Sequence, residues 1–171
     1  MVKLEKKLFG SVYVFKIKKH KDKRGHFSEI YNQKKISKYI NEKFLIDAIS
    51  FNKKNVIRGL HYQIKSKQAK LIYIHYGKIV DYIVDLRKKS KTYMKYKKIT
   101  LSEKNNRMIY IPKNFAHGYY VLSNEAIIGY KLSNYHDKNF EKVLKWNSKN
   151  LKISLPKFLL KKKIMSKKDL F

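Results

Sequence analysis

Cysteine is absent from this 171-residue chain, and proline occurs only twice. No disulfide and no thiolate metal site can form. The lack of cysteine fits a reducing compartment, and a cytoplasmic location is the expectation. No apolar run approaches the ~20 residues that cross a bilayer, so no membrane partner is expected. The start of the chain, Met1 to Lys7 and then Leu8 to Phe15, has the outline of a signal peptide. Gly10, Ser11 and Tyr13 interrupt its apolar part and no small-x-small site follows, so a first strand is expected there instead.

Acidic residues are scarce as well, 12 against 42 basic ones, for a net charge of +30. Such a balance suggests polyanion binding. Only Arg24, Arg58, Arg87 and Arg107 are arginine, the residue suited to bidentate phosphate and base contacts. The lysines are spread along the chain in twos and threes. A solvated lysine-rich surface is the expected reading, with no specific nucleic-acid partner.

What is present is an ordinary globular share of apolar residues, 43%, in a length that suits one domain over residues 1–171. Alternation predicts strands over Val12 to Lys18, His26 to Tyr31, Phe44 to Phe51 and Val56 to Gln63. Lys70 to Tyr76 and Lys78 to Leu86 read as a hairpin turning at Gly77. Shorter strands follow over Tyr93 to Leu101, Met108 to Ile111, Gly118 to Leu122 and Ala126 to Leu132. His20 to Gly25 reads as a charged turn, and Gln33 to Asn41 as a short helix. One hydrophobic centre is expected, with a lysine-rich tail after Trp146. Many short strands between turn signals imply an all-β sandwich or barrel.

The stretch Arg58-Gly59-Leu60-His61-Tyr62-Gln63, with Lys70 after it, gathers a guanidinium, an imidazole and an ammonium. These groups suit an anionic ligand and proton transfer. Strict alternation puts Arg58, Leu60 and Tyr62 on one face and His61 and Gln63 on the other. His117 also stands beside a glycine, in Pro112-Lys113-Asn114-Phe115-Ala116-His117-Gly118. No His-x-His pair is present, so no metal is expected. No serine elbow and no glycine-rich nucleotide loop occurs either. Acid–base chemistry without a cofactor is what remains.

These motifs resemble the dTDP-4-dehydrorhamnose 3,5-epimerase family, a metal-free branch of the cupins. The similarity runs from about Val12 to Asp169. It is carried by Asp22-Lys23-Arg24-Gly25-His26-Phe27-Ser28-Glu29, Asn55 to Gln63, Gln68-Ala69-Lys70-Leu71, Gly77 to Asp81 and Ile111 to Gly118. Tyr130-Lys131, Trp146-Asn147 and Ser166 to Asp169 complete it. The resemblance implies a cupin-like jelly-roll barrel with a few short peripheral helices, a homodimer and a nucleotide-sugar substrate.

It also implies roles. His61 would be the base and Asp169 its orienting carboxylate. Tyr130 would be the acid on the far face, and Lys70 would stabilise the enolate. Arg58 and His117 would contact the sugar or pyrophosphate. Arg24, Phe27 and Glu29 would hold the nucleotide, reaching across the dimer, and Gln63, Tyr135 and Glu141 would complete substrate binding. Asp81 and Arg87 would be structural. Two departures concern the pocket. Ile46 and Ala48 stand where the family has a Gln-x-Asn, and Tyr135-His136 replaces a pair of aromatics. These leave open epimerisation at one carbon only, or another nucleotide-linked 4-keto sugar.

Overall fold

The computed structural model describes residues 2–170, which form two antiparallel β-sheets packed face to face as a jelly roll. The first half of the chain runs β1 (Val2–Leu8), β2 (Val12–Ile17), β3 (His20–Asp22), β4 (Gly25–Phe27), α1 (Gln33–Ile36), β5 (Ile46–Lys53) and β6 (Ile57–Gln63). The second half runs β7 (Lys70–Tyr76), β8 (Lys78–Asp85), β9 (Tyr96–Ser102), β10 (Arg107–Ile111), β11 (Phe115–Val121), β12 (Glu125–Leu132), β13 (Glu141–Val143) and α2 (Lys157–Lys162). One sheet has the order β1-β2-β10-β7-β12-β5 and the other β13-β6-β11-β8-β9; β3 and β4 form a separate hairpin.

Among the described residues, three apolar clusters hold this arrangement, where one was expected. Between the sheets, Ile72, Ile74, Ile109 and Ile111 meet Ile79, Ile83, Phe115 and Val121. The outer face of the five-stranded sheet is apolar too. Val80, Tyr82 and Tyr120 are covered there by Trp146, Leu151, Leu155 and Leu159 from the C-terminal segment. On the other outer face, Ile36 and Ile40 cover Phe15, Leu71 and Tyr73. A strand buried on both faces loses its polar alternation. That accounts for the nearly continuous apolar run of β8, broken only by Asp81.

Several local expectations change. β7 and β8 do not pair: β7 lies between β10 and β12, and β8 between β11 and β9. Gly77 is therefore a corner between sheets, not a hairpin turn. Its φ is +83°, and a side chain there would meet the Glu125 carbonyl at 2.1 Å. A glycine serves a turn and a corner equally well, because both need a left-handed residue without Cβ. The N-terminal strand is two strands, β1 and β2, turning at Phe9 and Gly10, both with positive φ. The charged turn and second strand around residues 20–31 become the short hairpin β3–β4, with Glu29 beyond it. α1 is one turn long, capped by the Asn32 side chain accepting from the Lys35 amide. The tail carries α2, packed through Leu159.

Arg87 is structural. Asp85, wholly buried, accepts hydrogen bonds from Arg87 Nε at 2.9 Å, Arg87 Nη2 at 2.7 Å, Ser90 Oγ at 2.8 Å and Thr92 Oγ1 at 2.6 Å. Burial pushes this carboxyl up, but the hydrogen bonds outweigh it and hold it far below the usual carboxylate range. The knot fixes the loop after β8 at one end of the sandwich.

Candidate active site

The site begins at an irregularity in β6. Arg58 is opposite Tyr119 on β11 and His61 is opposite His117, so three steps on β6 match two on β11. This is a β-bulge, and it reverses the alternation. Ile57, Leu60 and Tyr62 pack outward around Trp146, while Arg58 and His61 share the inner face. The opposite-face reading of Arg58 and His61 is thereby corrected; a bulge cannot be seen in the alternation of side chains. Gly59 makes it possible. Its φ is +99°, and a Cβ there would meet the His117 carbonyl at 2.5 Å. Its own carbonyl accepts from Trp146 Nε1 at 2.6 Å, which pins the bulge from outside.

The end of the chain is strapped beside β6. The Ile57 amide donates to the Ile164 carbonyl at 2.9 Å, and the Ile164 amide to the Asn55 carbonyl at 3.0 Å. A 3-10 turn over Lys167–Asp169 then brings buried Asp169 to His61. His61 Nε2 lies 2.5 Å from Asp169 Oδ1. An ionised carboxylate only accepts, so Nε2 carries the proton and Nδ1 the lone pair. Burial pushes the Asp169 carboxyl up, but hydrogen bonds from His61, Ser166 and the Gly59 amide, with the attraction of His61, hold it below its ordinary value. Glu141 Oε1 stands 3.8 Å from His61 Nδ1, beyond hydrogen-bond reach. It also lies near His136, and its other oxygen accepts from Lys168 Nζ at 2.7 Å. Strand β13, which carries Glu141, has too little periodicity to be seen in the sequence.

His117 and Asp81 sit deeper on the same sheet. His117 Nε2 is 2.8 Å from Asp81 Oδ2, and both side chains are buried. Burial raises the Asp81 carboxyl above its ordinary value, against the attraction of His117 and Lys70. Its other oxygen has no partner among the described residues, nor does Gln63 Nε2.

The facing sheet supplies the other wall. Lys70 on β7 lies beside Leu132, and Tyr130 on β12 beside Ile72, a residue of the inter-sheet core. Both side chains therefore point inward. Lys70 has no hydrogen-bond partner among the described residues. Burial pushes its ammonium down to about 8, against the pull of Glu141 and Asp81. Burial also raises the Tyr130 phenol well above its ordinary value, with Tyr119 and Asp81 adding to it. At neutral pH the site thus holds a cationic Lys70 and a protonated Tyr130.

Three residues the sequence reading passed over complete the interior: Ser50, Asn52 and Tyr119. Asn52 Oδ1 accepts from Arg58 Nε at 2.8 Å and from the Tyr119 hydroxyl at 3.2 Å. Arg58 thereby reaches from one sheet to the other. Other expected residues do not join His61 within one chain. Arg24 is exposed and paired with Asp22, Phe27 is 72% exposed, Glu29 is paired with Lys35, and Tyr135 is exposed.

A base-like imidazole on one wall thus faces a phenol and an ammonium on the other, inside a jelly roll. The family model described as dTDP-4-dehydrorhamnose 3,5-epimerase matches residues 6–170. The chain belongs to the dTDP-4-dehydrorhamnose 3,5-epimerase family. It is 38% identical over 162 residues to the Shigella flexneri dTDP-4-dehydrorhamnose 3,5-epimerase, covering 93% of this chain and 88% of that relative. Among solved structures it is similar to the Legionella pneumophila dTDP-6-deoxy-D-glucose-3,5-epimerase in complex with dTDP-4-keto-L-rhamnose. The TM-score is 0.93 at 33% identity, over 99% of this chain and 90% of that one. It is also similar to the Bacillus anthracis dTDP-4-dehydrorhamnose 3,5-epimerase with TDP and PPi bound, with a TM-score of 0.90 at 34% identity over 99% and 97% of the two chains. In this member of the epimerase family, His61 with Asp169 belongs to one wall of the sandwich and Lys70 and Tyr130 to the other, and Ile46 and Ala48 stand on β5 beside Leu132 and Tyr130.

Proposed function

We propose that the chain inverts C3 and C5 of dTDP-4-dehydro-6-deoxy-D-glucose to give dTDP-4-dehydro-L-rhamnose. A ketone at C4 acidifies the neighbouring C–H bonds, because the resulting carbanion is delocalised onto oxygen. His61 Nδ1 takes the proton, and Asp169 holds the ring and stabilises the imidazolium. Lys70 balances the enolate oxygen. Tyr130 returns a proton to the opposite face of the carbon, which inverts it. The single observation that carries this reading is that His61 and Tyr130 extend from facing sheets. Arg58 and His117 contact the sugar or pyrophosphate, with Gln63 and Glu141 completing the pocket and Tyr135 at the nucleotide.

Ile46 and Ala48 replace amide-bearing positions and favour a second reading, in which one carbon alone is inverted or another 4-keto sugar is used. Turnover in D₂O separates the two. Deuterium at both C3 and C5, read by proton NMR, is the expected result; label at one carbon alone would remove the 3,5 assignment.

The working form proposed is a cytoplasmic homodimer. Ile49 is 68% exposed and Phe51 53% on the outward row of β5. Beside them is a cavity of about 560 Å³ that includes Tyr31, Tyr73 and His75. Hairpin β3–β4 projects Arg24 and Phe27 into solvent, where they can reach a second copy's nucleotide. The expected sedimentation mass is twice 20.6 kDa. A monomer active at full rate would contradict the dimer.

A further inference from the structure

We propose that Tyr119 is a positioning residue for Tyr130: its hydroxyl, held by Asn52 and Ser50, is switched to stabilise the Tyr130 phenolate when that residue gives up its proton. This rests on the reading of Tyr130 as the acid. Tyr119 is 2% exposed and lies among Phe115, Val121, Ile128 and Ala126, where a phenyl ring alone would suffice. Its hydroxyl nevertheless has a built environment. It donates to Asn52 Oδ1 at 3.2 Å; Asn52 Nδ2 donates to Ser50 Oγ at 2.7 Å; and Ser50 Oγ lies 3.4 Å from the Tyr119 hydroxyl. Asn52 is also 2% exposed. Burying such a group costs free energy unless it is bonded. Asn52 Oδ1 has a second donor, Arg58 Nε at 2.8 Å, and so stays satisfied if Tyr119 turns away.

Tyr119 spends its one proton on Asn52, leaving its oxygen able to accept from Tyr130. Tyr130 packs against the inter-sheet cluster that contains Tyr119, and the neighbouring Tyr119 phenol adds to the burial that keeps Tyr130 protonated. In the reaction, one C–H bond of the sugar breaks and its proton passes to His61. A new C–H bond forms on the other face with the Tyr130 proton. The site is left with an imidazolium and a Tyr130 phenolate, reset by proton exchange with water. Rotation of the Tyr119 O–H from Asn52 to the phenolate supplies a charge-assisted hydrogen bond at the moment the charge develops.

The test separates exchange from inversion. His61 can remove and return a proton on one face, which exchanges label without inverting the carbon; inversion needs Tyr130. For Y119F we expect KM near that of the native chain and an inversion-to-exchange ratio lower by about tenfold or more, the usual weight of a hydrogen bond to a charged group. Deleting one atom leaves the ring packing intact. Should Y119F nevertheless lose its fold, 3-fluorotyrosine at position 119 keeps the shape and acidifies only the phenol. It is expected to shift the same ratio, which a packing role leaves fixed. An unchanged ratio in the folded variant overturns the inference. Y130F is the control: if it still inverts, the acid assignment fails; if it loses inversion while Y119F keeps it, only the role of Tyr119 fails.

Discussion

His61→Ala is expected to abolish solvent exchange at both carbons beside the ketone while the chain stays folded. The expected loss is about 10²–10⁴-fold, the usual contribution of a positioned proton transfer. The imidazole is the group whose geometry is set from two directions. The Gly59 bulge turns it inward, and Asp169 fixes its tautomer at 2.5 Å. The neighbouring groups that could compete as bases are occupied: Glu141 is engaged by Lys168 and lies near His136, and His117 is held by Asp81. Asp169→Asn is expected to lose less than His61→Ala, since an amide can still hold the ring but no longer balances the imidazolium. The check is deuterium incorporation in D₂O alongside a thermal melt. Appreciable exchange in a folded His61→Ala chain would assign the base elsewhere.

Lys70→Met is expected to lower kcat by about 10²–10³-fold, the usual weight of one preorganised group at a developing oxyanion. The pH dependence follows from the same residue. Burial lowers its pKa to about 8, so the cation is present at neutral pH and is lost as pH rises through that value. The carboxylates that face it, Glu141 and Asp81, pull the other way without restoring the ordinary value. An alkaline fall in kcat/KM near pH 8 is therefore expected. Lys70→Arg, which keeps its charge to much higher pH, should move that limb upward even if the rate drops. A Lys70→Met chain with near-native kcat and an unmoved limb would contradict the role. Neither result depends on the regiochemistry of the reaction.

Much of the jelly roll can be read from alternation and turn residues, but pairing partners cannot. Gly77 looks the same whether β7 and β8 pair or part, because the choice is made by packing against β10, β11 and β12. The bulge at Gly59 is likewise invisible locally, since its cause is the close approach of His117 and Gly118 on another strand. His61 and Lys70 stand out in sequence as ionisable groups within apolar strands. Asp169 does not; it reaches His61 only because the chain end is bonded to Asn55 and Ile57. Ser50, Asn52 and Tyr119 carry no sequence signal at all. They are ordinary strand residues until two sheets bring their polar atoms together.

Opposed proton transfer across the sandwich is tested most directly by Tyr130→Phe in D₂O with the 4-keto sugar. The base remains and the acid is gone. Deuterium should still enter beside the ketone, through His61, with little or no inverted product. Inverted product formed at the native rate would contradict the placement of the acid on the wall facing His61.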